Sequence, residues 1–82
     1  MSPELETLDQ LLGGDTLLSV IRMDYPDRPR FLRGMMGLLN SGDIRLVGDG
    51  LEIPKWRWQA VLEGEGDRIL VSLTKAGAAR IA

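Results

Sequence analysis

The chain has 82 residues, of which 44% are hydrophobic and 27% charged, and its net charge is −2. This composition is ordinary for a single folded domain spanning residues 1–82. No apolar run approaches the ~18 residues of a membrane span, and the acidic start is unlike a signal peptide, so we expect a cytoplasmic protein that does not enter membranes.

Cysteine and histidine are both absent from the sequence. Their absence excludes disulfides and leaves no nitrogen or sulfur ligand for zinc. It also removes the side chain whose ordinary pKa suits proton transfer near neutral pH. We therefore expect a protein that is not an enzyme and that carries no metal or cofactor.

The first two predicted elements are helices. Ser2 is a suitable N-cap before Pro3, and Gly13 and Gly14 end the first helix. Its apolar face is formed by Leu5, Leu8 and Leu12. Asp15 is expected to cap a second helix, whose buried side is formed by Leu17, Leu18, Val20 and Ile21. Tyr25 ends it, because the residue before a proline avoids the helical region.

A third helix is predicted from the cap at Asp27 to about Asn40 and has the clearest amphipathic pattern. Its apolar side is formed by Phe31, Leu32, Met35, Leu38 and Leu39, with Met36 at the edge. The opposite side carries Arg30, Arg33, Gly37 and Asn40, flanked by Gly34 and Ser41. Each interior glycine costs about 0.5–1 kcal/mol relative to alanine. Two on an exposed face indicate that something approaches this surface closely, either the wall of a nucleic-acid groove or another helix.

After Gly42 the hydrophobic period becomes that of β-strands. Residues 44–47 are predicted as a short strand, followed by a turn at Asp49-Gly50. Residues 55–63 alternate and are predicted to pair with a strand over residues 68–73. The face of that first strand is formed by Trp56, Trp58, Ala60 and Leu62. Thr74 then caps a short helical turn over residues 76–81.

The two tryptophans allow two interpretations. With Lys55 and Arg57 beside them, Trp56 and Trp58 could stack on bases or grip a nucleic-acid backbone. We favour the interpretation that both close the core over the helices, since a small domain needs their apolar area there. An exposed tryptophan would instead indicate a protein partner.

Two stretches resemble bacterial winged helix-turn-helix regulators of the multiple-antibiotic-resistance-regulator type. The first runs from Asp15-Thr16-Leu17-Leu18 to Leu38-Leu39-Asn40-Ser41-Gly42-Asp43-Ile44, where that family opens its second helix with a threonine and closes the recognition helix with glycine and an aliphatic residue. The second, Ile69-Leu70-Val71-Ser72-Leu73-Thr74-Lys75-Ala76-Gly77, is similar to the family's second wing strand. Together they cover roughly residues 16–47 and 68–80.

The resemblance implies an α+β fold of the winged helix-turn-helix class. Three helices would be followed by a two- or three-stranded antiparallel sheet, the wing, and by a short C-terminal helical turn. The third helix would enter the major groove of double-stranded DNA, and the protein would be a small transcriptional regulator. The residues expected to contact nucleic acid are Arg28, Arg30, Arg33, Gly37 and Asn40, with Lys55 and Arg57 reaching the backbone from the sheet side.

Two features depart from this prediction. The wing tip is acidic at Glu63, Glu65 and Asp67, and carboxylates repel phosphates. The long dimerising helix of the family has no counterpart in this sequence, so a homodimer would need another surface. Arg28, Arg30 and Arg33 also have an alternative interpretation, in which they form a solvated helix face and are partly paired with Asp24 and Asp27.

Two alternatives therefore stay open. One is a protein-interaction or dimerisation module that binds no nucleic acid. The other is a different small α+β fold whose hairpin imitates a wing.

Overall fold

The computed structural model describes residues 2–64 and 68–81, and its elements form an α+β fold. In chain order they are α1 (Pro3–Leu11), β1 (Thr16–Leu17), α2 (Leu18–Arg22), α3 (Arg28–Asn40), β2 (Ile44–Gly48), β3 (Leu51–Glu52), a 3-10 turn (Lys55–Arg57), α4 (Trp58–Glu63), β4 (Ile69–Leu73) and α5 (Lys75–Ile81). The strands form one four-stranded antiparallel sheet in the order β1–β4–β2–β3, which corrects the prediction of two or three strands, because the short strands β1 and β3 pair with β4 and β2. Within the described ranges, no helix combines the length and apolarity needed to cross a membrane.

The predicted first, third and last helices are confirmed, together with their capping residues. The Ser2 hydroxyl accepts a hydrogen bond from the Leu5 backbone N–H at 3.2 Å, and Asp27 Oδ1 accepts from the Arg30 N–H at 2.8 Å. Thr74 Oγ1 accepts from the Gly77 N–H at 3.0 Å. Each cap satisfies an N–H group that has no partner inside its helix.

The prediction for the second helix is wrong at its start and on part of its buried face. Asp15 does not cap it: α2 begins at Leu18, and Thr16 and Leu17 form β1 instead. Those two residues are held extended because they pair with Val71 and Leu70 of β4. Leu18 and Ile21 are buried, as predicted. Leu17 and Val20 are exposed.

The β2–β4 pair forms the centre of the sheet. Its register runs from Ile44 opposite Leu73 to Gly48 opposite Ile69. The turn predicted at Asp49-Gly50 is confirmed, because both residues have positive φ angles, 52° and 78°, as a two-residue hairpin requires. The chain returns from this turn as β3, which is only two residues long.

The strand predicted over residues 55–63 is wrong. This segment forms the 3-10 turn and α4, and β4 pairs with β1 and β2 rather than with it. Trp58 and Leu62 are four residues apart and therefore also share a helical face. Trp58 is half-buried and donates from Nε1 to the Ile53 carbonyl at 3.0 Å, while Leu62 is buried. The helical period decides the packing, and the wing predicted from this segment does not form.

The core lies between the helices and one face of the sheet. Its buried apolar residues are Leu8, Leu11, Leu18, Ile21, Tyr25, Phe31, Met35, Leu38, Leu39, Ile44, Leu46, Ile53, Leu62 and Val71. Trp56 is 83% exposed, so the prediction that both tryptophans close the core is wrong for Trp56. Trp58 packs against the edge of the core.

Candidate functional site

The surface of α3 is the candidate site, and its shape follows from three neighbouring elements. Contacts with α1, α4 and β2 bury the apolar side of α3. One stripe stays open to solvent and runs the length of the helix. It comprises the exposed residues Pro29, Arg33, Gly37 and Asn40, with half-buried Met36 beside them. Arg33 lies near the middle of this stripe.

Arg30 does not belong to the open stripe, although the sequence predicts it there. Its two terminal guanidinium nitrogens donate to the two carboxylate oxygens of Glu4 on α1, with Nη2 to Oε1 at 2.7 Å. The Arg30 side chain is 29% exposed. The hydrogen bonds from Arg30 lower the pKa of Glu4 and, in return, raise the pKa of Arg30. Arg30 therefore serves as the contact between α3 and α1.

Gly34 is buried, which corrects its predicted place beside the exposed face. A Cβ at this position would lie 2.8 Å from Cε2 of Tyr25 and would collide with the Glu4 carboxylate. The Tyr25 hydroxyl is itself fixed by Thr7 Oγ1 at 3.0 Å, and burial raises the pKa of Tyr25. Gly34 is thus required by the packing of α1 and Tyr25 on α3.

Gly37 and the remaining predicted residues of this helix are exposed, as expected. Apart from the chain neighbours and the nearby backbone of α3 itself, no atom lies within 4 Å of the position that a Gly37 Cβ would occupy. Arg28 is exposed at the start of α3, and Asn40 is exposed at its end. Gly37 therefore leaves a real gap in the helix surface one turn beyond Arg33.

Two grooves flank the open stripe. The first, of about 360 Å³, lies between α1, α3 and α5, and the second, of about 290 Å³, lies between α3 and α4. The residues of the second groove are Pro29, Leu32, Arg33, Met36, Gln59 and Glu63. Arg33 lines both grooves. Its side chain therefore stands on the ridge between them.

The two basic residues predicted on the sheet side are exposed but lie apart from this ridge. Arg57 lines a third concave surface of about 310 Å³, beside the β2–β3 turn, together with Asp49 and Leu51. The Lys55 Nζ lies 6.0 Å from the centroid of the Trp58 ring. The structure thus brings Arg30, Arg33 and Gly37 to one groove and leaves Lys55 and Arg57 on another surface.

The acidic end of the predicted wing is only partly described. Glu63 is exposed and accepts a hydrogen bond from Gln59 Nε2 at 3.3 Å, while Glu65 and Asp67 lie outside the described residues. The end of α4 is held by Arg22, whose Nη2 donates to the carbonyls of Leu62 and Gly64 at 3.1 and 3.2 Å. Glu63 therefore borders α3 directly and places a negative charge beside the second groove.

Sequence reasoning missed two charged residues around the first groove. Glu4 belongs to the acidic start of the chain, and no pattern in the sequence gives Glu4 or Arg80 a role in this groove. Arg80 Nε donates to Asp43 Oδ2 at 2.9 Å, and the Ser41 hydroxyl donates to the same oxygen at 2.8 Å. Asp43 is buried at 2% exposure. No local pattern connects residues separated by so many positions, so the sequence held no signal for either pair.

Comparisons with known proteins add no information about this site. No family model matches the chain, and no curated protein or solved structure is detectably similar to it. Among the described residues, no three side chains of the His, Cys, Asp or Glu type group together as metal ligands would. The resemblance to winged helix-turn-helix regulators therefore stays a prediction, and the function has to be argued from α3 and its surroundings.

Proposed function

We propose that this chain is a winged-helix protein that binds double-stranded DNA through the open stripe of α3. The observation that carries the proposal is the exposed Arg33 on the ridge of α3, with the gap at Gly37 one turn further on. A helix of 13 residues is about 20 Å long, which suits the major groove. An unobstructed arginine on such a helix can donate two hydrogen bonds to a guanine edge.

The element order supports the proposal. The helices α1, α2 and α3 precede the β2–β4 antiparallel pair, and α5 follows it, which is the order that the winged-helix resemblance implies. The wing differs from the expected one, because β3 and α4 occupy the connection between β2 and β4. The proposal therefore relies on the recognition helix rather than on a basic wing.

The roles of the predicted residues change once their contacts are considered. Arg33 and Asn40 are the candidates for reading bases, since guanidinium and amide groups pair with guanine and adenine edges. Arg28 is a candidate phosphate contact at the start of α3. Arg30 is engaged by Glu4 and enters the proposal only as support for the helix. Lys55 and Arg57 remain outlying phosphate contacts.

The test is a titration of labelled duplex DNA at low salt, read by fluorescence anisotropy. We expect binding that weakens as salt rises, because phosphate contacts release counterions. Arg33→Gln should weaken binding about tenfold. Arg45→Gln is the matched control, because Arg45 is exposed on β2 away from α3. An affinity for DNA that changes neither with salt concentration nor with Arg33→Gln would refute the proposal.

A second candidate function, self-association, is favoured by one exposed surface. Leu51 on β3 is 74% exposed and Trp56 is 83% exposed, an unusual placement for large apolar side chains. Leu51 lines a concave surface together with Glu52 on β3 and Arg57 on the 3-10 turn, which bring both signs of charge to it. Trp56 precedes Arg57 in the same turn. In a two-fold dimer the same surface meets itself, so the basic part of one copy would face the acidic part of the other, and we propose a second copy of this chain as the occupant.

Sedimentation velocity at several concentrations tests this candidate. We expect a concentration-dependent dimer that Trp56→Ala converts to monomer. Glu52→Lys and Arg57→Glu should each weaken the homodimer, and an equal mixture of the two variants should recover part of the association. A wild-type chain that stays monomeric at every concentration would eliminate this candidate.

A further inference from the structure

The groove between α1, α3 and α5 has the composition of an anion site. Its volume is about 360 Å³. The lining residues are Glu4, Arg30, Arg33, Gly34, Gly37, Leu38, Ser41, Asp43 and Arg80. Three arginines and two carboxylates therefore meet in one cavity, and the balance of charge is positive.

Both carboxylates of the groove are already engaged by cations. Glu4 is held by the two terminal nitrogens of Arg30, and Asp43 is held by Nε of Arg80 and by the Ser41 hydroxyl. The charges of Arg30 and Glu4 thus neutralise each other in the wall of the groove. Neither carboxylate is left to repel an anion at full strength.

Arg33 and Arg80 keep donors that these contacts do not use. Among the described residues Arg33 forms no ion pair, and Arg80 uses only its Nε, with a side chain that is 56% exposed. The planar fork of an arginine matches the oxygens of a phosphate and can hold two of them at once. Two such forks on one groove provide more donors than a single surface cation would.

Gly37 lies one turn after Arg33 and one turn before Ser41, whose hydroxyl shares the Asp43 carboxylate with Arg80. Apart from the chain neighbours and the nearby backbone of α3 itself, no atom lies within 4 Å of the position of a Cβ added at Gly37, so an anion can approach the helix surface there. Gly34, one turn earlier, is covered by Tyr25 and the Glu4 carboxylate. The open part of the groove is therefore the part that Arg33 and Arg80 border.

We propose that this groove binds a single phosphate group, held by Arg33 and Arg80 over Gly37. The group can belong to the DNA backbone or to a free phosphate ester, and the chemistry of the site is the same for both. Where it belongs to DNA, the inference rests on the proposed function, and Arg33 then contacts the backbone together with Arg80 of α5, which leaves Asn40 to read a base. The site itself does not depend on DNA binding.

The test uses inorganic phosphate as the probe, titrated into the isotope-labelled chain in a low-salt, phosphate-free buffer. We expect saturable NMR shifts of the Gly37 amide and of the Nε–H groups of Arg33 and Arg80. Arg33→Gln should weaken phosphate binding about tenfold, as the loss of a charge-assisted pair does. Gly37→Leu should abolish it by filling the floor, with the rest of the spectrum preserved. Arg45→Gln should leave it unchanged.

Two results would overturn the site: shifts that never saturate, or saturable shifts that survive both Arg33→Gln and Gly37→Leu. Gly37→Leu keeps the test independent of folding, because its side chain projects into open space. Arg80→Gln is the less direct variant, since it also removes a partner from the buried Asp43.

Adding duplex DNA to the phosphate-bound chain separates the two sources of phosphate. Displacement of phosphate by DNA supports a backbone contact in this groove. Phosphate binding without any DNA binding keeps the site and refutes the proposed function. DNA binding by a chain that shows no phosphate site refutes this inference and leaves the proposed function intact.

Discussion

Arg30 and Arg33 lie one turn apart on α3, yet their surroundings give them different roles. Arg30 reaches across to the carboxylate of Glu4, and Arg33 stands on the ridge between two grooves. Both are arginines, and both lie on the polar side of the same amphipathic helix. What separates them is the position of α1, which covers the Arg30 edge of the stripe.

The pair of Glu4 and Arg30 predicts an acid-dependent contribution to stability. The hydrogen bonds from Arg30 lower the pKa of Glu4. The ionised Glu4 therefore stabilises the folded protein at every pH above the ordinary pKa of a glutamate, and this stabilisation is lost as the pH falls through the lowered pKa. We expect Glu4→Gln to lower the melting temperature by a few degrees at neutral pH, measured by circular dichroism. The difference from wild type should vanish in strong acid, and Glu6→Gln, an exposed change on α1, is the control. An equal difference at all pH values would contradict the role of the charge.

The two glycines of α3 predict opposite effects of the same substitution. Gly34→Ala should destabilise the protein by about 1–3 kcal/mol, because the new methyl group meets Tyr25 and Glu4. Gly37→Ala should stabilise it by about 0.5–1 kcal/mol, since the position is open and alanine favours the helix. Urea denaturation of both variants gives the comparison. Equal effects would mean that α1 does not pack over Gly34.

At the level of elements, α4 is a short segment whose apolar residues fit the spacing of a strand as well as that of a helix. Residues 56, 58, 60 and 62 alternate as in a strand, but 58 and 62 are also one helical turn apart. Both edges of β4, the strand with which this segment is predicted to pair, are taken by β1 and β2. The indole of Trp58 donates to the Ile53 carbonyl at the start of the helix, and α4 packs against α3. Long-range contacts, rather than the alternation, select the helix.

A pair of substitutions in this segment distinguishes the helix from a strand. Trp56→Ala should change the free energy of unfolding by no more than about 0.5 kcal/mol, because Trp56 is exposed. Leu62→Ala should cost about 2–5 kcal/mol, because Leu62 is buried. In a strand both side chains would share one face and both changes would be costly. Chemical denaturation measures the two values.

The attachment of α5 depends on a close approach at Gly77. A Cβ there would collide with the backbone carbonyl oxygen of Asp43 and would lie 2.7 Å from Cδ1 of Leu73. A backbone atom cannot move aside as a flexible side chain can. Gly77→Ala should therefore destabilise the protein by about 1–3 kcal/mol in urea denaturation. Ala76→Ser, an exposed change in α5, should be nearly neutral, and a neutral Gly77→Ala would show that α5 sits further from the Asp43 backbone at the start of β2.

For the molecule as a whole, Phe31 links several parts of the fold. Its ring packs edge-on against Tyr25 with centroids 5.4 Å apart, and the Arg22 guanidinium lies 5.1 Å from its centroid. Phe31 is 1% exposed. The same side chain thus connects α3 with α2 and with the loop between them.

Replacing this ring should affect the stability of the entire domain. Phe31→Ala is expected to cost about 3–5 kcal/mol, against a total stability of about 5–15 kcal/mol for a domain of ordinary size. A large part of the chain should then be unfolded on mild heating, measured as a single shifted transition by circular dichroism. Phe31→Leu, which keeps most of the apolar contact, should lose less. A small effect of Phe31→Ala would contradict its place in the core.

Much of the fold follows from short-range patterns in the chain. The caps at Ser2, Asp27 and Thr74, the period of α3 and the Asp49-Gly50 turn each involve residues only a few positions apart. Such patterns depend on backbone hydrogen bonds and on residues close by in the sequence. They can therefore be predicted without knowing the rest of the molecule. The helical core face of α3 and the exposure of Arg33 and Gly37 were predictable for the same reason.

Tertiary structure decided the features that depend on distant partners. Thr16 and Leu17 form a strand because they pair with β4. Residues 58–63 cannot pair with β4 in the way that the alternation predicts, because β1 and β2 take both of its edges. The engagement of Arg30 by Glu4 and of Asp43 by Arg80 joins residues from opposite parts of the chain. Strand pairing and side-chain burial depend on which elements pack together. The local spacing of apolar residues does not determine which helices and strands come into contact.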